Sequence, residues 1–405
     1  MKPIVRAGRM KPVHSDIRGP LFVEAMKRQK QGIDILKLNT GNPATFGFGL
    51  PDSIKNALIE HMQDGVGYCD FKGMPQARQA ICDYETSKGI KGITPDDVFI
   101  GNGVSEVVSF ALTPLLNDGD EVLVPSPSYS LWGNSVYLED GKPVFYTCDE
   151  QANWYPDIQD IRSKITDKTK AIVIINPNNP TGVLYPKELL LEIIQIARES
   201  GLLIFADEIY DRLVMDGKQH ISLASLTEDV PVITLNGLSK SHCLCGYRCG
   251  WMVISGPREL TEDYRQGIIQ LTSLRLCANT LAQIVIPAAL DDMDTPASMV
   301  RPGGRIYEQR EATVRELEKI DGLSFVKNDA AFYIFPKLNV KKFNITNDKQ
   351  FAHDLLDATN ILLVPGSGFD WKDPDHFRIV MLPQADILSD AIRRMGTFLD
   401  GYKQK

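Results

Sequence analysis

The chain of 405 residues has no excess of positive charge and no long hydrophobic run. Its 44 lysines and arginines are outnumbered by 52 aspartates and glutamates, which gives a formal net charge of −8 at pH 7. This balance argues against general binding to nucleic acid or anionic lipid. No stretch approaches the roughly 18 consecutive apolar residues that a membrane-spanning helix needs. We therefore expect no nucleic-acid partner and no membrane insertion.

Cysteines are few and irregularly placed. The chain has seven, an odd number without regular spacing. A disulfide framework is therefore not expected, and a reducing compartment is the natural setting. Residues 1–20 carry five lysines and arginines but no apolar segment of the kind that secretory signals contain. Together these features predict a cytoplasmic protein.

Between residues 97 and 255 short apolar runs alternate with segments of helical periodicity. This alternation predicts an α/β fold with a mostly parallel seven-stranded sheet flanked by helices. The candidate strands are Val98–Ile100, Glu121–Val124, Val144–Tyr146, Ala171–Ile175, Leu202–Ala206, Val232–Leu235 and Trp251–Ile254. Ligands of such sheets bind outside the carboxyl ends of the strands. The loops after these runs are therefore where we expect the chemistry.

Past residue 257 the pattern changes to longer helical stretches, which include Glu262–Leu274, Thr280–Leu290 and Gly304–Ile320. Short strand-like pieces and a final amphipathic helix follow, which predicts a smaller α+β domain. We expect residues 1–45 to be an N-terminal segment that joins this small domain. Residues 46–295 are expected to form the large cofactor-binding domain, and residues 296–405 the C-terminal small domain.

Three loops, each after a predicted buried strand, hold the chemically informative side chains. Asn179 lies in the first, Asp207 and Tyr210 in the second, and Lys240 and Arg248 in the third. Singly, each has an ordinary interpretation as a turn residue, a helix cap or a solvated side chain. Their shared position at one edge of the predicted sheet is harder to explain by such ordinary roles, and it indicates a site. For a lysine placed between buried runs we also expect a pKa below its normal value.

These side chains have complementary chemistry. A lysine amine condenses with an aldehyde, a carboxylate keeps a pyridinium nitrogen protonated, and an amide and a phenol bond to a ring hydroxyl. An arginine with loop N–H groups binds a phosphate. The combination indicates pyridoxal phosphate as the cofactor.

Over nearly its whole length the sequence resembles the fold-type I, class I aminotransferases, which use pyridoxal phosphate. The resemblance implies that Lys240 forms the Schiff base, that Asp207 pairs with the ring nitrogen, and that Asn179 and Tyr210 bind the ring hydroxyl. Lys240, Asp207 and Tyr210 are thus the expected catalytic residues. Arg378 matches the arginine that binds the substrate α-carboxylate through its planar fork. Gly41 and Asn179 are expected to contact the substrate as well.

The resemblance also implies how the ring face and the phosphate are held, with backbone donors at a helix N-terminus favouring the dianion. The residues concerned are Tyr129, Val104, Ser105, Glu106, Ser239 and Arg248. Gly237 stands where many relatives have serine or threonine, so one hydroxyl is missing or a backbone N–H replaces it. Tyr68 resembles the tyrosine that these enzymes extend to the phosphate of a partner subunit, which implies a homodimer.

Four segments resemble most the bacterial alanine aminotransferase (glutamate–pyruvate transaminase) branch: Asp16–Pro20, Gly41–Pro43, Gly67–Asp70 and Asn176–Gly182. We therefore expect L-alanine and 2-oxoglutarate to give pyruvate and L-glutamate. Arg18, on the N-terminal segment, is the hypothetical partner of the glutamate γ-carboxylate. A surface position without function is the other interpretation of Arg18.

Several alternatives stay open at this point. An aminotransferase for aspartate, aromatic or branched-chain substrates, or a carbon–sulfur lyase, would use the same cofactor. A pyridoxal-dependent transcription regulator is disfavoured because only about 40 residues precede Gly41, without a winged-helix pattern. A catalytically inactive homologue is disfavoured because Lys240, Asp207 and Arg378 are all present. A metal site made of His242, Cys243, Cys245 and Cys249 lacks the paired spacing of zinc motifs, so no metal is expected.

Overall fold

All seven predicted strands lie in one sheet of the computed structural model, which describes residues 3–405. The strands of the whole structure are β1 (Leu36–Lys37), β2 (Val98–Asn102), β3 (Glu121–Ser126), β4 (Lys142–Asp149), β5 (Tyr155–Pro156), β6 (Thr169–Ile175), β7 (Leu203–Asp207), β8 (Val232–Gly237), β9 (Cys249–Ser255), β10 (Leu323–Ser324), β11 (Tyr333–Ile334), β12 (Lys337–Leu338), β13 (Ile361–Leu362), β14 (Val364–Pro365) and β15 (Phe377–Val380). The main sheet has eight strands, in the order β2-β9-β8-β7-β6-β3-β4-β5. The strand that the sequence did not predict, β5, is a two-residue edge strand antiparallel to β4.

Helices cover both faces of this sheet and build most of the C-terminal part. They are α1 (Pro20–Lys30), α2 (Asp52–His61), α3 (Pro75–Ser87), α4 (Val104–Leu112), α5 (Leu131–Leu138), α6 (Ile158–Lys164), α7 (Lys187–Ser200), α8 (Leu238–Ser241), α9 (Arg258–Arg275), α10 (Thr280–Ile284), α11 (Ile286–Asp291), α12 (Asp294–Val300), α13 (Arg305–Leu317), α14 (Val340–Phe343), α15 (Asp348–Thr359) and α16 (Ala385–Asp400). The stretch predicted as one helix over Thr280–Leu290 is two helices. Pro287, in the first turn of α11, has no N–H with which to continue α10.

The central strands are apolar because helices pack on both sides of them. In β6, Ile172 and Ile174 belong to one buried cluster, whereas Ala171, Val173 and Ile175 belong to another. Successive side chains of a strand point to opposite faces, so the two clusters are the two covered faces. Strands β6, β7 and β8 are parallel neighbours. Their carboxyl ends therefore open at the same edge, where Asn176, Asp207 and Gly237 begin or join the predicted loops.

A separate buried core holds the C-terminal part together. The short strand β1 pairs in parallel with β13, which brings the N-terminal segment against this core. Leu38 is buried there with Phe377 and Ile392. The division of the chain at residues 45 and 295 stays a prediction.

Among residues 3–405 there is no single helix long and apolar enough to cross a membrane. One bent pair, α9 with the segment Thr280–Asp291, satisfies the length and composition criteria only when its two arms are taken together, and these arms are bent by 119°.

Candidate active site

The loops at the carboxyl ends of β6, β7 and β8 enclose a cavity of about 880 Å³. Twelve of the residues predicted for the site line it: Arg18, Gly41, Val104, Ser105, Tyr129, Asn179, Asp207, Tyr210, Ser239, Lys240, Arg248 and Arg378. They come from both ends of the chain and from its middle. The structure therefore brings together residues that are up to 360 positions apart in the sequence, counting from Arg18 to Arg378.

Lys240 lies in α8, the four-residue helix that follows β8 directly. Its Nζ donates to the carbonyl oxygen of Gly41 at 2.9 Å and lies 3.9 Å from Cys245 Sγ. Burial lowers the pKa of this amine, but the ionisable groups of Tyr333, Cys245 and Tyr129 outweigh burial and raise it. The predicted lowering of the Lys240 pKa is therefore wrong for the protein alone, because acidic groups surround the amine.

Asp207 is the last residue of β7 and is buried at the floor of the cavity. Its Oδ2 accepts a hydrogen bond from Trp132 Nε1 at 3.0 Å. Burial raises the pKa of Asp207 to about 6, although the Trp132 hydrogen bond acts in the opposite direction. A positively charged partner would stabilise the ionised form of this buried carboxylate, because the two charges are opposite.

Arg378, in the middle of β15, is 1% exposed and also lines the cavity. Its Nη1 donates to Asn179 Oδ1 at 2.9 Å, and its Nη2 donates to the carbonyl oxygen of Asn39. Among the residues that the structure describes, its Nε has no hydrogen-bond partner. Within residues 3–405 no carboxylate forms an ion pair with Arg378, and burial lowers its pKa. A buried cation without a counter-charge is a prepared site for an anion.

The end of the cavity near the start of α4 is shaped by close backbone contacts. Gly103 precedes α4 with φ +85°, and a Cβ there would overlap the guanidinium of Arg248. The Arg248 Nη2 lies 3.4 Å from Ser105 Oγ. Val104 and Ser105 present the first backbone N–H groups of the nine-residue α4 to the cavity. A guanidinium, a hydroxyl and a helix N-terminus together form a set of donors suited to a phosphate.

Gly237 has no space for the hydroxyl that many relatives carry at this position. A Cβ at Gly237 would lie 2.6 Å from the carbonyl oxygen of Cys249 and 3.0 Å from the Cα of Gly250. Gly237 is not among the residues that line the cavity. The close pairing of β8 with β9 thus explains why this chain departs from the pattern.

Two predicted site residues do not line the cavity. The carboxylate of Glu106 turns away from it, accepting from Asn102 N at 2.7 Å and pairing with Arg275 at 2.5 Å. The Tyr68 side chain is 83% exposed on the surface. Roles for Glu106 and Tyr68 at the cofactor stay predictions.

The cysteines near Lys240 face different surroundings. Cys245 lines the cavity, with its Sγ 3.0 Å from the carbonyl oxygen of Ser239. Cys243 contacts Met299, with 3.8 Å between the two sulfur atoms, and Cys249, the first residue of β9, is buried in the core. His242 Nε2 donates to the carbonyl oxygen of Asp292 at 3.3 Å, and His242 Nδ1 lies 3.0 Å from Ser241 Oγ.

Two residues that shape the site were missed by the sequence reasoning. Trp132 lies in α5 and Tyr333 begins β11; both contact predicted site residues. Trp132 follows Tyr129 by three residues, which is close to one helical turn. This spacing is the sequence feature that could have pointed to Trp132. Tyr333 carried no signal, because nothing local links a tyrosine in a short C-terminal strand to the loop of Tyr210.

The donors of the cavity fit pyridoxal phosphate. An amine, a buried carboxylate, an amide with a phenol, and a guanidinium beside a helix N-terminus are all present in one space. The orphaned Nε of Arg378 leaves a second anion site for a substrate. The arrangement can therefore hold an aldehyde cofactor and a carboxylate substrate side by side.

Comparison with known proteins agrees with this geometry. Residues 33–392 match the family model described as "Aminotransferase class I and II". The chain is 50% identical to the glutamate-pyruvate aminotransferase AlaA of Haemophilus influenzae over 404 residues, covering all of both chains. It superimposes on a crystal structure of an Escherichia coli aminotransferase with a TM-score of 0.98 and 47% identity, again over the whole of both chains. It superimposes on the alanine aminotransferase of Pyrococcus furiosus with a TM-score of 0.93 and 41% identity, covering 98% of this chain and all of that one.

These matches confirm the predicted fold class and the predicted cofactor, pyridoxal phosphate. The match spans 360 of the 405 residues, counted from 33 to 392 inclusive. The chain belongs to the class I and II aminotransferases.

Proposed function

We propose that this protein transfers an amino group between L-alanine and 2-oxoglutarate, giving pyruvate and L-glutamate. The observation that carries the proposal is the buried guanidinium of Arg378, which shares one cavity with the Lys240 amine. Within residues 3–405 this guanidinium forms no ion pair, and its Nε has no hydrogen-bond partner. The names of the H. influenzae and P. furiosus relatives support the choice of alanine and glutamate over other amino acids.

Arg378 and Asn179 bind and orient the amino-acid substrate in this proposal. The Arg378 fork binds the α-carboxylate, and its existing hydrogen bond to Asn179 fixes the plane of the guanidinium. Gly41 lines the same cavity beside Tyr333 and would contact the bound substrate. Binding places the substrate Cα towards Lys240.

Lys240 moves the proton. Pyridoxal phosphate supplies, when bound, an aldehyde that combines with amines and a ring that withdraws electrons from the substrate Cα. Lys240 Nζ would bind that aldehyde at rest. Once the substrate amine has displaced it, the free Lys240 amine would take the proton from the substrate Cα and deliver it to the former aldehyde carbon of the cofactor. The Asp207 carboxylate would accept a hydrogen bond from the protonated ring nitrogen, while Tyr210 and Asn179 would bind the ring hydroxyl. Arg248, Ser105 and Ser239 bind the phosphate.

We also propose that the protein works as a homodimer to which Tyr68 contributes. Tyr68, Val66 and Leu274 are exposed apolar or aromatic residues, at 83%, 76% and 81%. The segment before Tyr68 contacts the start of α10, where Thr280 Oγ1 donates to the carbonyl oxygen of Gly65 at 2.7 Å. Exposed apolar side chains that form one patch are typical of a protein interface. The cytoplasmic location stays a prediction.

An absorption experiment tests the proposed reaction. The purified protein loaded with pyridoxal phosphate should absorb near about 420 nm, as expected for a protonated imine of this cofactor. L-alanine should bleach this band, and 2-oxoglutarate should restore it. Borohydride should attach the cofactor to Lys240, and Lys240→Ala should prevent the attachment. A band that responds to L-aspartate or an aromatic amino acid but not to L-alanine would assign the protein to another branch.

A further inference from the structure

Tyr333 occupies a junction between the two halves of the site. It is the first residue of β11 and pairs with Val380 of β15, the strand that carries Arg378. The side chain is buried and also lines the cavity. It therefore connects the C-terminal part of the chain to the loops of the large sheet.

The hydroxyl of Tyr333 contacts Tyr210. The two hydroxyl oxygens are 3.0 Å apart, and the rings meet edge to face with centroids 5.6 Å apart. Neither hydroxyl forms a hydrogen bond to any other side chain within residues 3–405. The phenol that is proposed to bind the ring hydroxyl of the cofactor is thus oriented by a second phenol, 123 residues away in the sequence.

The ring of Tyr333 contacts Arg378. The guanidinium carbon lies 4.6 Å from the centroid of the Tyr333 ring and 4.6 Å from that of Phe369. Contacts of this kind attract a cation towards the ring face. They hold the guanidinium in place without neutralising its charge, which leaves that charge available to a carboxylate.

Gly41 makes room for this arrangement. A Cβ at Gly41 would overlap the Tyr333 hydroxyl, so a side chain there is incompatible with the observed position of Tyr333. The Gly41 carbonyl meanwhile accepts the hydrogen bond of Lys240 Nζ. The Tyr333 hydroxyl therefore lies beside the backbone that holds the reactive amine.

We propose that Tyr333 is a positioning residue of the transamination: its hydroxyl orients and strengthens Tyr210 as a donor, and its ring holds Arg378 for the substrate carboxylate. This inference rests on the proposed function. In the structure, the Tyr210 hydroxyl donates to Tyr333. A phenol has a single O–H, so when Tyr210 donates to the ring oxygen of the cofactor, Tyr333 rotates its own O–H and donates to Tyr210. Hydrogen bonds in a chain polarise one another, so this second bond makes Tyr210 a stronger donor. Two separate variants test the two contacts.

Tyr333→Phe removes only the hydroxyl. A hydrogen-bond donor to the ring oxygen of the cofactor stabilises the deprotonated form of the site, and so lowers the pH midpoint of the visible band. The pH midpoint of the visible band should therefore rise in this variant by about 0.3 to 1 unit, the size expected from one hydrogen bond. Tyr210→Phe should shift it further in the same direction. The KM for L-alanine should change less than twofold, because the ring that contacts Arg378 remains.

Tyr333→Leu removes the ring as well. The KM for L-alanine should then rise by about three- to tenfold, as expected for the loss of one aromatic contact to a cation. The matched control is Tyr146→Phe, which removes a buried hydroxyl bonded to the carbonyl oxygen of Val173 outside the cavity. This control should lower thermal stability but leave the midpoint and the KM at the wild-type values.

Two outcomes would overturn the inference, and they are distinguishable. If the wild-type band responds to L-alanine but Tyr333→Phe keeps the wild-type midpoint and Tyr333→Leu keeps the wild-type KM, Tyr333 is only a packing residue. If the wild-type protein shows no band, or a band that L-alanine does not bleach, the proposed function fails and the inference fails with it.

Discussion

The indole Nε1 of Trp132 donates to Asp207 Oδ2 at 3.0 Å, and both side chains are buried. This hydrogen bond is the main influence that lowers the pKa of Asp207 against the effect of burial. The acidity of the carboxylate proposed to bind the cofactor nitrogen thus depends on a residue of α5 that does not itself line the cavity.

Trp132→Phe should weaken cofactor binding most strongly at low pH. Without the indole donor, the pKa of Asp207 should rise above about 6, so less of the carboxyl is ionised near neutral pH. Titration of the cofactor-free variant with pyridoxal phosphate should show an affinity about tenfold lower than that of the wild type at pH 6, and the difference should shrink towards pH 8. Trp251→Phe is the control, because Trp251 donates to Glu85 away from the cavity. Equal losses at both pH values would contradict the prediction.

Asp207→Asn should stabilise the cofactor-free protein above pH 6. The pKa of Asp207 is raised from 3.8 to about 6, so the folded state holds this proton more tightly than the unfolded state. The free energy of unfolding of the wild-type protein therefore falls as pH rises from about 4 to about 6, and the full loss persists above pH 6. A difference of about 2.2 units corresponds to about 3 kcal/mol. Urea unfolding should show this gain at pH 8 and none at pH 4, and a less stable variant at pH 8 would contradict it.

Arg378→Lys should reduce kcat/KM for L-alanine by about 100-fold, mainly through KM. Lysine has no planar fork, so it cannot bind a carboxylate with two hydrogen bonds or pack between Tyr333 and Phe369 in the same way. Arg310→Lys is the control, because Arg310 is also buried but already paired with Asp216. Steady-state kinetics should show a normal KM for that control. An unchanged KM for L-alanine in Arg378→Lys would contradict the assignment of Arg378 to the substrate α-carboxylate.

Arg18→Ala should raise the KM for L-glutamate far more than the KM for L-alanine. Arg18 lines both the main cavity and a smaller adjoining cavity of about 400 Å³, and within residues 3–405 it forms no ion pair. A charge-assisted bond to the γ-carboxylate should give about a tenfold effect on glutamate alone. Lys37→Ala, which lines only the smaller cavity, is the control. Equal effects on the two substrates would eliminate this role.

Tyr68→Phe should weaken the binding of pyridoxal phosphate by about tenfold but leave the binding of pyridoxal unchanged, since a bond to the phosphate is lost. Sedimentation should first show a particle of twice the 45.1 kDa chain mass. Val66→Glu should shift that particle towards the monomer, because a charge would be buried at the interface. Wild-type affinity for both vitamers in Tyr68→Phe would separate Tyr68 from the phosphate site.

Periodicity predicted the elements of the main sheet well. The runs at Ala171–Ile175 and Val232–Leu235 lie wholly within β6 and β8. Burial on both faces makes such strands apolar throughout, so they stand out from the sequence. The edge strand β5 was not predicted, because two residues are too few to show a period.

The sequence by itself determined the fold class, the cofactor chemistry and the order of the reactive residues along one sheet edge. It could do so because the residues at strand ends follow directly from the local pattern of apolar runs. Only the tertiary structure decided that Trp132 meets Asp207, that Tyr333 joins Tyr210 to Arg378, and that acidic neighbours raise the pKa of Lys240. Those relationships depend on side chains from distant elements packing together, and no local periodicity encodes such contacts.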